Sequence, residues 1–237
     1  MGTPVPLTDE RHAGLRVATG HGARYGDARN LVPVFVTELN EVQREAAVLV
    51  QPREGSGRQL VALLGFEKDE NLFLSEGWDG RYVPAFLARG PFLIGYGAEA
   101  PDAQPVVYVD EASPRIVREG GEPIFTERGG NAPYLDHVLR VLRVIEEGRR
   151  EGDAILRQLA EHDLLEPLDL SVRLTPEQEV VIPGFETINT ERLAALDGDA
   201  LAALNASGAL RAAMLTAASL SNVQHLALRK QRRLRGA

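Results

Sequence analysis

The stretch NAPYLDHVLRVLRVI, residues 131–145, decides how the chain divides. Leu135, Val138, Leu139, Leu142 and Ile145 recur at spacings of three and four, the mark of one buried helical face. Gly129 and Gly130 precede it, Asn131 is placed to cap, and Pro133 suits a first turn, where its missing N–H has no intrahelical role. Ile155, Leu156 and Leu159 resume the stripe. The spacing predicts a helix from about Asn131 to Leu165, weakened at Gly148 and Gly152.

Upstream the period is different. Val34–Leu39, Ala47–Gln51, Leu60–Phe66, Asn71–Leu74, Arg81–Phe86, Pro91–Tyr96 and Val106–Asp110 are short apolar or β-branched runs between turn-rich separators. Ile116–Arg118 and Pro123–Phe125 are weaker runs of the same kind. No helix-length segment separates them, so antiparallel pairing is expected rather than parallel crossovers. Residues 1–30 are polar and glycine-rich without a sustained period, and are expected to form a flexible arm. Downstream, Leu168, Leu170, Val172 and Leu174 alternate with polar residues, and Val180–Phe185 reads as their hairpin partner across Thr175–Gln178. Helices are expected at Glu191–Leu196 (capped by Asn189 or Thr190), at Asp199–Asn205 (capped by Asp197) and from Leu210 to about Arg233. The expected fold is α+β, with a β-rich, mainly antiparallel first half, a central helix, a β-hairpin and a helical C-terminus. Residues 31–237 are expected to form a single domain.

Composition narrows the chemistry. With 44% hydrophobic and 25% charged residues the chain can build a core and is not a disordered sequence. There is no cysteine, which excludes thiolate metal sites, disulfides and a cysteine nucleophile. The N-terminal residues lack a basic segment followed by an apolar run, and no run reaches the ~20 residues of a membrane-spanning helix. A cytoplasmic location is therefore expected, with signal-independent export as the alternative. The net charge is −8, although five cations, Arg229, Lys230, Arg232, Arg233 and Arg235, crowd the end of the chain. An acidic body repels nucleic acid, and the terminal cations read most simply as complements to a helix dipole. No nucleic-acid partner is expected.

Two blocks resemble a known family. The first is Asn71-Leu-Phe-Leu-Ser-Glu-Gly-Trp-Asp-Gly-Arg-Tyr-Val-Pro-Ala-Phe86, continuing through Arg89, Pro91 and Phe92. It is similar to the block of SapC family proteins in which an Asn-Leu-Phe strand, a Trp turn and a Tyr-Val-Pro segment lead into Arg-Tyr-Pro-Phe. Here Arg89-Gly90-Pro91-Phe92 keeps the frame without the tyrosine. The second block runs from Leu164-Leu-Glu-Pro167 through Gly184-Phe185, Asn189, Glu191 and Leu193 to Ala209-Leu210 and Ser219-Leu-Ser221. Thr175–Gln178 departs from the Asp-Gly turn of the family hairpin. The resemblance spans roughly residues 31–228. It implies an accessory or binding protein associated with a bacterial surface layer, or with loci that carry flavin-dependent halogenases and uptake receptors. It supplies no catalytic residue.

The remaining motifs are thin. Gly95-Tyr-Gly97-Ala-Glu-Ala100 matches a dinucleotide fingerprint in letters, but Pro101 and Pro105 replace the helix whose amides would hold a pyrophosphate. The five histidines form no metal-binding pair, so no metal, no cofactor and no catalytic residue is assigned. The aromatic block is the one unusual local feature. Asn71, Trp78, Asp79, Tyr82, Arg89 and Phe92 are the candidate ligand-binding residues, for a small molecule or a protein partner. Trp78, flanked by glycines, is expected to be partly accessible and stacked on Tyr82 or Phe92, with Arg89 close enough to meet an anionic ligand. The main reading is a non-catalytic binding protein. An enzyme without a linear motif and a structural surface-layer subunit are the alternatives, and the oligomeric state is left open.

Overall fold

The structure, a computed structural model, describes residues 2–55, 57–96, 105–175 and 178–236. All the strand pairs are antiparallel and the fold is α+β with a helical C-terminus. Strand β1 (Val5–Pro6), a single helical turn α1 (Asp9–His12) and β2 (Arg16–Val17) open the chain. β3 (Leu31–Val34) leads through a tight turn into α2 (Leu39–Val42), and β4 (Ala47–Pro52) and β5 (Arg58–Leu63) form a hairpin. Then come the short helix α3 (Ala85–Ala88) and the strands β6 (Phe92–Tyr96), β7 (Pro105–Val109), β8 (Ile116–Val117) and β9 (Glu122–Pro123). Helix α4 (Pro133–Glu161) precedes the hairpin β10 (Leu165–Arg173) and β11 (Glu179–Ile188). Helices α5 (Thr190–Ala194), α6 (Gly198–Ser207), α7 (Ala209–Ser219) and α8 (Asn222–Gly236) complete the chain.

The main sheet has the order β10-β11-β4-β5-β3. Ala47 to Val50 and Leu60 to Leu63 are buried without alternation, so both faces of its centre are covered. Register between β4 and β11 rests on the single pair Val50 and Glu186. Further along β4, Ser219 Oγ at the end of α7 accepts the Val48 N–H at 2.8 Å in place of a strand partner. Asn222 Nδ2 donates to Gln43 O at 2.7 Å, which ties the start of α8 to the same edge. Those two bonds give the Ser219–Asn222 bend a structural reason and split the expected helix from Leu210 to Arg233 into α7 and α8.

Helix α4 organises the rest. Its 29 residues run unbroken through Gly148 and Gly152. The last two turns place Ile155, Leu156 and Leu159 in the hydrophobic cluster of the main sheet. Its first turns place Leu135, Val138 and Leu142 in a second cluster with Val17, Phe92, Val109 and Ile124. That second cluster is roofed by two small sheets, β1-β7-β6 and β8-β2-β9. The helix is capped at Ala132 rather than Asn131, whose amide instead donates to Asp136 Oδ1 at 3.1 Å.

The first 30 residues depart from the expected flexible arm. Val5 pairs with Val109, and Arg16 sits between Val117 and Pro123. His12 is buried, and Asp27 forms an ion pair with Arg115 at 2.7 Å. These strands are two residues long and find their partners about a hundred residues away, which no local period can reveal. Asn71–Leu74 and Arg81–Phe86, expected as strands, are loop and helical turn, with one bridge between Leu74 and Trp78. The residues from Gly97 to Ala100, part of the glycine motif, and Pro176–Glu177 of the hairpin turn lie outside the described residues.

Candidate functional site

Four of the six candidate residues hold the 71–82 loop together. Buried Asn71 accepts from Phe73 N at 2.9 Å and donates to Asp27 O at 2.8 Å. Trp78 is half-buried, but it stacks on Phe73, with ring centroids 5.3 Å apart, and not on Tyr82 or Phe92. Its indole N–H donates to Tyr82 O at 3.0 Å and its ring meets the edge of His21. Asp79 is paired with Arg229 at 2.7 Å, and that guanidinium covers the Phe73 ring. The Tyr82 hydroxyl donates to Glu38 Oε2 at 2.8 Å. Backbone groups that a neighbouring strand would satisfy are satisfied here by side chains: Glu45 alone accepts from the N–H groups of Arg81 and Tyr82.

Arg89 and Phe92 lie elsewhere, and together. Phe92 is fully buried against Tyr134 in the second cluster, so it offers no surface to a ligand. Its carbonyl accepts from Arg89 Nη1 at 2.6 Å. The Arg89 guanidinium lies 4.7 Å from the centre of the Phe86 ring, and Arg29 lies 5.6 Å from the same ring. Neither arginine has a carboxylate partner among the described residues. Burial first, and the field of Arg29 second, hold Arg89 below its ordinary arginine value. It nonetheless stays charged, because a guanidinium does not give up its proton at accessible pH.

Arg89 lines a slot of about 280 Å3 in the seam between the two hydrophobic clusters. One wall is Pro33, Val34 and Leu60 of the main sheet; the other is Leu93 and Ile94 of β6. Helix α4 closes it with Leu142, Ile145, Gly148, Gly152 and Leu156. The glycines make this closure possible. A Cβ on Gly148 would fall on Thr37 Oγ1 and only 2.5 Å from Phe35 Cβ, so the helix approaches the turn after β3 closer than any side chain allows. Thr37 Oγ1 seals the contact by donating to Val144 O at 2.8 Å. Around the slot stand Arg53, Arg58, Arg89 and Arg149 against one carboxylate, Asp153. Arg58 is bonded to Glu186 through two nitrogens and Arg149 to Glu146, which leaves Arg53 and Arg89 without an acid among the described residues.

Two further groups escaped the sequence reading. Glu38 is 3% exposed and accepts from Phe35 N, Ala85 N and the Tyr82 hydroxyl. Burial dominates those bonds and pushes its carboxyl up to about 7. Its signal was in the letters: a lone carboxylate within the apolar run Val34–Leu39. Asp27, Arg115 and His21 form the other group, beside a cleft of about 430 Å3 that Tyr134 and His137 also line. Burial alone would raise the Asp27 carboxyl, but His21, the Gly22 N–H and Arg115 outweigh it and hold it below the usual carboxylate range. Nothing in the local sequence joins residues so far apart. Among the described residues no three His, Asp or Glu side chains are arranged to hold a metal ion. No single helix there is long and apolar enough to cross a membrane.

The SapC family profile matches residues 7–226 of the 237-residue chain. The protein belongs to the SapC family. The match begins after β1 and covers β2 as well as the Trp78 block and the Ser219–Asn222 bend, so nearly all of both hydrophobic clusters falls within the SapC region. No curated protein and no solved structure matches the chain.

Proposed function

We propose that this SapC-family protein is a binding protein for an anionic amphiphile, a carboxylate or similar acid on an apolar body, held in the slot between the main sheet, β6 and α4. The observation that carries the reading is Arg89. It is a half-buried guanidinium on an aromatic ring at an apolar cavity, with no carboxylate paired to it among the described residues. Ligand pockets are mostly apolar with a few placed polar groups, and a charge-assisted bond to a carboxylate is among the stronger ones available. At the ~30 Å3 that one water-sized unit occupies in a liquid, the 280 Å3 slot accepts roughly ten non-hydrogen atoms. Octanoate is a probe of that size.

Binding to the folded state raises its melting temperature, so octanoate should raise it and methyl octanoate should do so far less. Arg89→Gln should weaken octanoate about tenfold or more, the equivalent of ~1.5–3 kcal/mol for a bond to a charged group. Equal binding of acid and ester, or an unchanged affinity in Arg89→Gln, would refute the proposal. An accessory role at a bacterial surface layer, or at an uptake and halogenase locus, belongs to the same proposal; the genes that flank this one test it.

A further inference from the structure

We infer that the groove between α8 and the 72–81 loop is a docking site for a short acidic peptide segment of a partner protein. The groove has a volume of about 650 Å3. Arg44, Arg81, Arg229, Arg232 and Arg233 converge on it from three parts of the chain, against only Glu45 and Asp79 in its lining, with Arg44 itself paired to Glu41 at 3.1 Å. Both carboxylates are engaged, Glu45 by the N–H groups of Arg81 and Tyr82 and Asp79 by Arg229. The guanidiniums of Arg81 and Arg232 are exposed and make no hydrogen bond or ion pair with another described residue. Among the described residues Arg233 bonds only the carbonyl of Leu74.

The chain as a whole carries −8, so this patch runs against the sign of the rest of the surface. Arg233 and Arg235 stand in the last turn of α8, where cations were expected to complement the helix end, but the terminal cations are not confined to that role. Lys230 is buried between Glu67 and Glu70, and Arg229 and Arg233 reach sideways to the loop. The arginines are therefore fixed along a groove instead of clustered at a tip. Its floor is apolar, with Leu72 buried below and Leu228 48% exposed. Charge complementarity selects an acidic occupant, and the exposed leucine selects one with an apolar anchor. Length favours a peptide over a nucleic acid. A long polyanion would continue onto the acidic surface beyond the groove, and among the described residues no Phe, Tyr or Trp lines the groove for bases to stack on, only the His225 ring.

The test uses fluorescein-labelled peptides in anisotropy measurements on the full chain. One has Glu-Glu-Leu-Glu-Glu at its centre and the other Gln-Gln-Leu-Gln-Gln. The glutamate peptide should bind at least tenfold tighter than the glutamine peptide. Its affinity should fall several-fold between about 50 and about 300 mM salt. Arg81→Glu with Arg232→Glu should weaken it at least tenfold, and Arg232→Glu alone, on the exposed face of α8, severalfold. Neither variant should change octanoate affinity, because the groove and the slot share no lining residue. Equal binding of the two peptides, or unchanged binding by the double variant, overturns the inference. So does displacement of the peptide by an oligothymidylate or by phosphatidylglycerol vesicles at lower concentration than the unlabelled peptide itself.

Discussion

Two glycines one turn apart on α4 should respond to the same substitution with opposite signs. Gly148 and Gly152 both face the slot, and alanine at either removes the backbone freedom that glycine loses on folding, worth ~0.5–1 kcal/mol of stability. At Gly152 the new methyl would meet only Val36 Cγ1 at 3.8 Å, an ordinary contact. Gly152→Ala should therefore stabilise by about that amount. At Gly148 the same methyl would lie 2.5 Å from Phe35 Cβ, an atom fixed by its own backbone, and on the Thr37 hydroxyl that Val144 O already holds. Relieving such an overlap costs ~1–3 kcal/mol. At the middle of these ranges the net for Gly148→Ala is a loss of about 1 kcal/mol, and the two variants should differ by the overlap cost, about 2 kcal/mol. For a chain of this size that separates their melting temperatures by roughly 4–8 °C. Urea unfolding and a thermal scan measure both. If Gly148→Ala is as stable as Gly152→Ala, α4 does not press on the turn after β3 as described, and the closure of the slot is misread.

Three further outcomes follow from the ionised and aromatic groups. Arg115→Met should destabilise by ~3–5 kcal/mol in urea titrations, because it strands the buried Asp27 carboxylate without its cation. Glu38 has a folded carboxyl near 7 against 4.5 unfolded, so the native state holds a proton that the unfolded chain has released. Its contribution should be complete below about pH 4.5 and lost as pH rises to 7, by up to about 3 kcal/mol. Wild type minus Glu38→Gln isolates that slope, and a flat difference over this window would refute it. Trp78→Phe should cost ~1 kcal/mol for the lost bond to Tyr82 O, and neither it nor Trp78→Ala should change octanoate affinity.

The architecture was readable where one period governs a whole element. The three-and-four spacing of Leu135 to Leu159 outvoted the two glycines because a buried face on both sides of them holds the helix regardless. The β4–β5 and β10–β11 hairpins were readable for the same reason, as were the Asn189 and Asp197 caps. The two-residue strands β8 and β9 overlap the weaker runs Ile116–Arg118 and Pro123–Phe125, but β1 and β2 were not readable, since a pair such as Val5 and Val109 has no period to announce it. The 71–82 block was legible as a unit and not as a conformation. Its Trp-Asp-Gly letters marked a distinct structure, but which ring Trp78 covers depends on Phe73 and on Arg229, 150 residues further on. Arg89 alone among the six candidates proved to line the slot, and its cavity is built from walls that belong to four separate stretches of chain.

Ion pairing shows why Arg89 stands apart. Asp27 has Arg115, Lys230 has Glu67 and Glu70, and Arg58 has Glu186. Each shelters its charge from the cost of leaving water by pairing it. Glu38 has no cation among the described residues, yet a carboxyl has a second way out, and as pH falls through about 7 it takes up a proton under the Tyr82 hydroxyl and two backbone N–H groups. Arg89 has neither remedy. It cannot deprotonate, the charge acting on it is another arginine, Arg29, and its one hydrogen bond among the described residues is to a carbonyl. The field of that cation is therefore left uncancelled at the side of an apolar slot. An acid bound there would relieve a strain in the free protein as well as bury its own apolar body, so the stabilisation by octanoate should shrink in Arg89→Gln even where the variant itself melts higher than wild type.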